Sequence, residues 1–365
     1  MKNTSLANTS TLAYTDYRQD PAAWAHRLQI SSEAVALYLD AEVIDLHTDS
    51  FLWQRLSGYK LEKRHALPPW GARLGGQVDL PRVLEAQMAG LVWDIPANPI
   101  LPKARKYGAV RGLIARMLAT LEPHAEQFRH VVSYADYRRA RAEGKVACWF
   151  SIQGGQALDH NLRDLERIPE IHRITLVHLT RSRIGASNIH PLHRDIGLSP
   201  YGRDFVEKLV QLRILVDLSH INRKGFFDAL AAMPADLPAV VTHTGLKGVC
   251  DIWRNIDDQQ IRAIAARNGT IGVIYEEHFL AHNKQQRTLE RIIDHLAHII
   301  KVAGEDYASL GSDYDGMITL PRDFPDITAQ PILVQRMLDR GWSEERIRKI
   351  LGLNFLRVIQ QVRPD

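Results

Sequence analysis

Cysteine is scarce in this chain: two among 365 residues, Cys148 and Cys250, far apart and each inside an apolar segment. Without a C-x-x-C pair there is no thiolate zinc site, and so few cysteines exclude a disulfide framework. Both read as small buried hydrophobes in a reducing compartment. No apolar stretch approaches the ~18 residues that a membrane span needs. Met1 to Tyr17 is rich in Ser, Thr and Asn and lacks the basic start and apolar run of a secretory signal. A cytoplasmic protein with no membrane partner is therefore expected, or one whose leader was removed. Glycine-rich phosphate loops are missing too, since no G-x-G-x-x-G or P-loop follows the first strand candidate. No internal repeat, low-complexity tract or linker divides the chain.

Excess charge is also small. Lys and Arg number 46 against 42 Asp and Glu, a net +4. The basic residues lie in short groups such as Lys103, Arg105 and Lys106, with acidic residues nearby. No basic stripe results, and no nucleic-acid partner is expected. At 45% hydrophobic and 24% charged the composition is that of an ordinary globular protein. Length alone permits two or three domains or one α/β barrel.

What is present is a series of apolar, β-branched runs separated by helical patterning. Val43–His47, Val146–Ile152, Ile174–His178, Ile214–Leu218, Ala239–His243, Thr270–Tyr275 and Ala308–Asp313 are the clearest, with Ala89–Trp93 weaker. Continuous apolar strands alternating with helices indicate a parallel sheet covered on both faces. Ser199-Pro200 supplies a cap and first-turn proline for a helix carrying Phe205, Leu209 and Leu212. Asp257 to Arg267 carries Ile261, Ile264 and Ala265 on one face. A last helix starts near Ser343 and turns Leu351, Phe355, Val358 and Ile359 inward. Eight strands, each followed by helix, predict a (β/α)8 TIM barrel, one domain over 1–365 with residues 1–40 as an N-terminal extension. The competing architecture is a doubly wound open sheet, which would normally show a nucleotide fingerprint.

Barrel chemistry sits at the C-terminal ends of the strands. Here the runs end in His47-Thr48-Asp49, His178, Asp217-Leu218-Ser219-His220, His243 and Asp313-Tyr314-Asp315. His47 and Asp49 are two apart, so in an extended segment they share a face, and an imidazole with a carboxylate makes a usable ligand pair for Zn²⁺. His220 and His243 can add two nitrogens, and Asp313 is placed to take a proton from water activated by the ion. Taken singly, each would be an ordinary core histidine or capping aspartate; their joint placement at strand ends favours a metal site. Three other histidine pairs carry less weight. His295 and His298 share a helix face expected on the solvated exterior. His278 and His282 have zincin spacing, but Phe279 stands where H-E-x-x-H needs Glu. His190 and His193 lie in a loop that can reach the mouth.

The ordered segments resemble the membrane (renal) dipeptidase family of the metal-dependent amidohydrolase superfamily. Val43-Ile44-Asp45-Leu46-His47-Thr48-Asp49, Gly76-Gln77-Val78-Asp79-Leu80-Pro81-Arg82, Gly197-Leu198-Ser199-Pro200-Tyr201-Gly202-Arg203, Leu215-Val216-Asp217-Leu218-Ser219-His220, Thr242-His243-Thr244, Trp253-Arg254-Asn255, Gly311-Ser312-Asp313-Tyr314-Asp315-Gly316 and Asn354-Phe355-Leu356-Arg357-Val358 carry the likeness, from about Ala41 to Val362. The resemblance implies that His47 and Asp49 bind a first metal and His220 and His243 a second. It further implies that His178 polarises the scissile carbonyl, Arg254 clamps a substrate carboxylate and Asp313 shuttles the proton.

One departure matters. Where the family carries a glutamate that bridges two metals before a glycine pair, this chain reads Gln153-Gly154-Gly155. A unit charge ~2 Å from a dication is worth on the order of ten kcal/mol even at a dielectric of ~20, before desolvation. One or two zinc ions are therefore expected, the second weakly held. Arg181 and Arg183 follow His178 where dipeptidases show an Asn-rich loop, in keeping with a more anionic substrate. Three readings stand. The first is a zinc-dependent hydrolase of dipeptides or a related small amide. The second is a dipeptidase-derived enzyme tailoring a peptide-like metabolite. The third is a catalytically impaired homologue that binds ligand. The partner expected is a small dipeptide-like or carboxylate-bearing molecule. A homodimer is one option, as for many barrels, though no coiled-coil seam or apolar stripe marks its surface.

Overall fold

The computed structural model describes residues 12–65, 75–98, 101–189, 192 and 195–365. His190 and His193 lie outside the described residues. Among the described residues nine strands form one sheet: β1 (Ile44–Thr48), β2 (Gly90–Pro96), β3 (Phe128–Val131), β4 (Val146–Gln153), β5 (Ile171–Thr175), β6 (Leu215–Asp217), β7 (Val240–Thr244), β8 (Thr270–Val273) and β9 (Ala308–Leu310). Every pairing is parallel, in the order β1-β2-β4-β5-β6-β7-β8-β9, with β3 attached to β4 alone. Parallel neighbours require crossovers, and helices on the outside supply them.

The ring is drawn shut beyond the ends of β9 and β1. Thr48 bridges Tyr314 in parallel, Asp49 N–H donates to Tyr314 O at 2.8 Å, and Asp313 N–H donates to His47 O at 3.1 Å. Eight strands thus make a nearly closed (β/α)8 barrel, and the open-sheet alternative is excluded. The same stitches place His47, Asp49 and Asp313 side by side.

The N-terminal end of the barrel is plugged by side chains. Ile44, Val92, Trp149, Leu215 and Val240 form one buried cluster with Phe355 from the helix Asn354–Val362. Trp149 and Phe355 meet edge to face at 5.4 Å. Apolar filling below leaves the C-terminal mouth as the place where polar groups gather. Two glycines near that mouth admit no side chain. A Cβ on Gly272 or Gly311 would stand 2.0 or 1.7 Å from Thr242 O.

Helix boundaries follow their caps. Ser199 accepts from Gly202 N–H ahead of Pro200–Gln211, and Asp257 and Gln260 form a capping box ahead of Asp258–Ala265. Within residues 1–40, Pro21–Leu28 and Ser32–Asp40 are helices whose Trp24 and Tyr38 are buried, Tyr38 Oη donating to Ala86 O at 2.7 Å.

Three sequence expectations shift. β3 had no counterpart among the runs, because Phe128-Arg129-His130-Val131 is half polar and covers only the start of β4. β5 begins and ends earlier than the apolar run Ile174–His178. Leu176 and Val177 are buried beyond the strand and prolonged its apparent length. His295 is fully buried, not solvated: its Nδ1 accepts from Leu246 N–H at 2.9 Å and its Nε2 lies 3.1 Å from Leu280 O. The helix Glu290–Ala303 presses that face onto the barrel, which spacing alone cannot reveal.

Candidate metal centre

Six polar side chains converge at the mouth from five strand ends. His47 lies next to the last residue of β1 and Asp49 follows the strand; Gln153 is the last residue of β4; His220 follows β6; His243 lies in β7; Asp313 follows β9. All are buried except His220, which is partly so. His47 Nε2 lies 3.6 Å from Asp49 Oδ2, 3.5 Å from Asp313 Oδ1 and 3.0 Å from Gln153 Nε2. Its ring stacks on that of His243 at 3.8 Å. His220 Nε2 and His243 Nε2 are 2.8 Å apart. His47, His243 and Asp313 each offer a ligand atom within 4.8 Å of the others. His178 stands at the side, its ring edge-on to His220 at 4.7 Å.

Below this group lies a charged layer that strand-end position does not reveal. Arg173 in β5 is fully buried and donates from Nη2 to Asp94 Oδ2 in β2 at 2.6 Å; from Nη1 it pairs with Asp217 in β6. Asp94 Oδ2 also sits 3.0 Å from His47 Nδ1. The carboxylate therefore holds the ring with Nε2 toward the mouth. Thr242 acts likewise for His243. Its hydroxyl donates to Asp217 Oδ2 at 2.8 Å and so presents a lone pair to His243 Nδ1, 3.0 Å away. The signal that could have found this layer is a charge inside an apolar run, Trp93-Asp94-Ile95 and His172-Arg173-Ile174.

Titration follows from packing. Burial opposes the protonation of His47, but Asp94 and Asp49 outweigh it and push the imidazolium up to about 10. Burial, helped by the cations nearby, lowers His178 to about 3 and holds His220 and His243 well below the usual imidazole range. Burial raises Asp49 above the ordinary carboxylate value and, against the pull of His47, Asp313 well above it. Asp94 moves the other way because Arg173 and His47 more than offset its burial.

These donors fit a divalent ion. Asp49 Oδ1 and Gln153 Oε1 are buried without a hydrogen-bond partner, an arrangement that costs free energy unless a ligand satisfies it. Neutral His220 and His243 turn Nε2 atoms toward each other, and two imidazole nitrogens with carboxylate oxygens form the mixed N and O set that zinc takes. Above them opens a cavity of about 480 Å³. Arg254 reaches it with Nη2 donating to His243 O at 2.7 Å, and no carboxylate of the described residues lies within 4.0 Å of its guanidinium. His278 stands on the rim, paired with Glu276.

Residues 31–364 match the family described as membrane dipeptidase, peptidase family M19. The chain belongs to the membrane dipeptidase family. Dipeptidase tcpJ of Claviceps purpurea (strain 20.1) is 27% identical over 304 residues, which span 79% of this chain and 70% of that protein. Among solved structures, dipeptidase AC, a metallopeptidase, is 26% identical with a TM-score of 0.78, covering 89% of this chain and 99% of that one. A metallopeptidase from Rhodobacter sphaeroides shares the fold at 24% identity and a TM-score of 0.77, covering 88% of this chain and 99% of its own. This member of the membrane dipeptidase family is thus a hydrolase of the metallo-dipeptidase type. No described helix is long and apolar enough to cross a membrane.

Proposed function

We propose that the protein hydrolyses dipeptides or a related small amide that ends in a carboxylate, using zinc held at the barrel mouth. The observation that carries this reading is the convergence of His47, Asp49, His220, His243 and Asp313 beside two buried, unpartnered oxygens. His47, Asp49, Gln153, His220 and His243 would hold the metal, with Asp313 beside them. Bound there, a divalent ion supplies Lewis acidity and lowers the pKa of water. The chain's own groups supply the rest. Asp313, held at the mouth with its carboxyl raised by burial well above the ordinary carboxylate range, is the group that would take up and return the proton. His178, kept neutral by burial, lends an imidazole to the substrate carbonyl. Arg254, a buried cation with no carboxylate partner among the described residues, binds the substrate's own carboxylate. The Rhodobacter metallopeptidase was solved with a phosphinate mimic of the dipeptide L-Ala-D-Ala, which supports a ligand of this class.

Gln153 favours a second reading, in which the pocket serves altered chemistry on a peptide-like metabolite or only binds ligand. An amide oxygen can face one ion but brings no charge to bridge two. Hydrolysis of L,L-, L,D- and D,L-dipeptides by wild type and Gln153→Glu separates the readings. Cleavage by both, faster in the variant and with more zinc retained, is expected. Cleavage by the variant alone would favour the second reading. Arg254→Ala should raise KM about tenfold or more with a smaller effect on kcat, and an unchanged KM would remove Arg254 from carboxylate binding.

A further inference from the structure

Eight large apolar side chains stand exposed among the described residues, and four of them, Leu179, Ile189, Trp253 and Met317, line the cavity above the candidate metal centre. They come from three loops, after β5, β7 and β9. Gathering exposed apolar surface around one cavity is uncommon without a ligand to cover it. Phe279, from the segment after β8, completes a wall: its ring meets that of Trp253 at 6.0 Å and lies 6.0 Å from the Arg254 guanidinium. The apolar wall and the cation therefore share one side of the cavity.

Backbone conformation singles out the same rim. Nine of the described residues other than glycine have positive φ. Gln29, Gln87, Arg213 and Asn268 stand one to three residues past the ends of helices, where a left-handed residue is an ordinary terminator. The other five, Leu179, His220, Asp313, Asp315 and Met317, all stand in segments after β5, β6 and β9 at the mouth. Leu179 at φ 54° and Met317 at φ 63° carry apolar side chains, which lack the polar group with which Asn or Asp eases this conformation. Strain of this kind concentrates where geometry serves binding.

We infer that the substrate's carboxylate-bearing residue has a large apolar side chain, which packs on Trp253 and Phe279 while Leu179, Ile189 and Met317 close over it. The inference rests on Arg254 taking the carboxylate. A small molecule suits the site better than a protein surface. The apolar groups line a concavity of small-ligand size, about 480 Å³, over a buried cation.

The test uses full-length, zinc-loaded protein and the series Gly-Gly, Gly-Ala, Gly-Leu and Gly-Phe, read by calorimetric binding and by turnover. Affinity or kcat/KM should rise about tenfold or more from Gly-Ala to Gly-Phe. Trp253→Ala should compress that ratio, and Trp253→Leu, which keeps an apolar wall, should retain most of it. Graded binding without cleavage supports the inference and defeats the hydrolase reading. Cleavage with a flat series overturns the inference and leaves the hydrolase reading intact. No binding of any member, or an unchanged ratio in Trp253→Ala, overturns it as well. So does sedimentation showing that Trp253→Ala converts a dimer to a monomer, since a second copy would then cover the wall.

Discussion

Asp94 contributes nothing to the cavity surface, yet it fixes His47. Its carboxylate takes His47 Nδ1 at 3.0 Å on one side and Arg173 at 2.6 Å on the other. A carboxylate behind a ligating imidazole sets ring orientation and raises basicity, typically worth about tenfold to hundredfold in metal affinity. Asp94→Asn keeps an acceptor for Nδ1 and removes the charge. Zinc affinity should fall by about that factor in competition with a chromogenic chelator, and an unaltered affinity would show that Asp94 only fills the barrel. His47, His220, His243 and Asp313 were legible in the sequence because residue type and strand-end position coincide in them. Asp94 and Arg173 were not, since each stands within an apolar strand and acquires its partner only when β2, β5 and β6 are brought together.

Elements were legible where local chemistry marks their ends. The Ser199-Pro200 start stands as read, and the helix expected from Asp257 begins there with a capping box to Gln260, because capping depends on residues three apart. The terminal helix starts at its Ser343 cap as expected, and a π-helical turn, Lys349–Leu353, interrupts it before Asn354–Val362. Gly352 sits in that turn with no room for a Cβ, which would stand 1.9 Å from Glu42 O. Such close approaches come from tertiary packing and leave no mark on periodicity. Between β7, β8 and β9 the same constraint acts through Gly272 and Gly311. Gly311→Ala should destabilise the fold by about 1–3 kcal/mol, since the backbone must shift to relieve the overlap with Thr242 O. A lower urea midpoint at constant m checks this; an unchanged midpoint would mean that β9 has slack next to the metal ligands.

For the molecule as a whole, the alternation of apolar runs and helices revealed the barrel, while its closure lies in pairings no single segment shows: Thr48 with Tyr314, and Asp313 with His47. Stability against pH is also a property of the whole. His295 joins the helix Glu290–Ala303 to Leu246 and Leu280, and burial lowers it to about 4. An unfolded histidine titrates near 6.5. Between those values the unfolded chain binds a proton that the folded chain refuses, so the contribution is complete above about 6.5 and is lost as pH falls toward 4. His172, lowered by burial to about 3, acts in the same sense. His295→Gln, which keeps one acceptor and one donor, should remove on the order of 2 kcal/mol of the stability lost between pH 7 and 5. An identical pH slope in the variant would mean that His295 is charged in the fold.

The claim that organises all of this is that the barrel mouth holds a divalent ion. Anomalous diffraction at the zinc edge, from crystals of zinc-loaded protein, tests it most directly. The expected result is a strong peak beside His47, His243 and Asp313, with any second peak near His220 at lower occupancy. No peak at the mouth, or a peak only at surface residues, would contradict it.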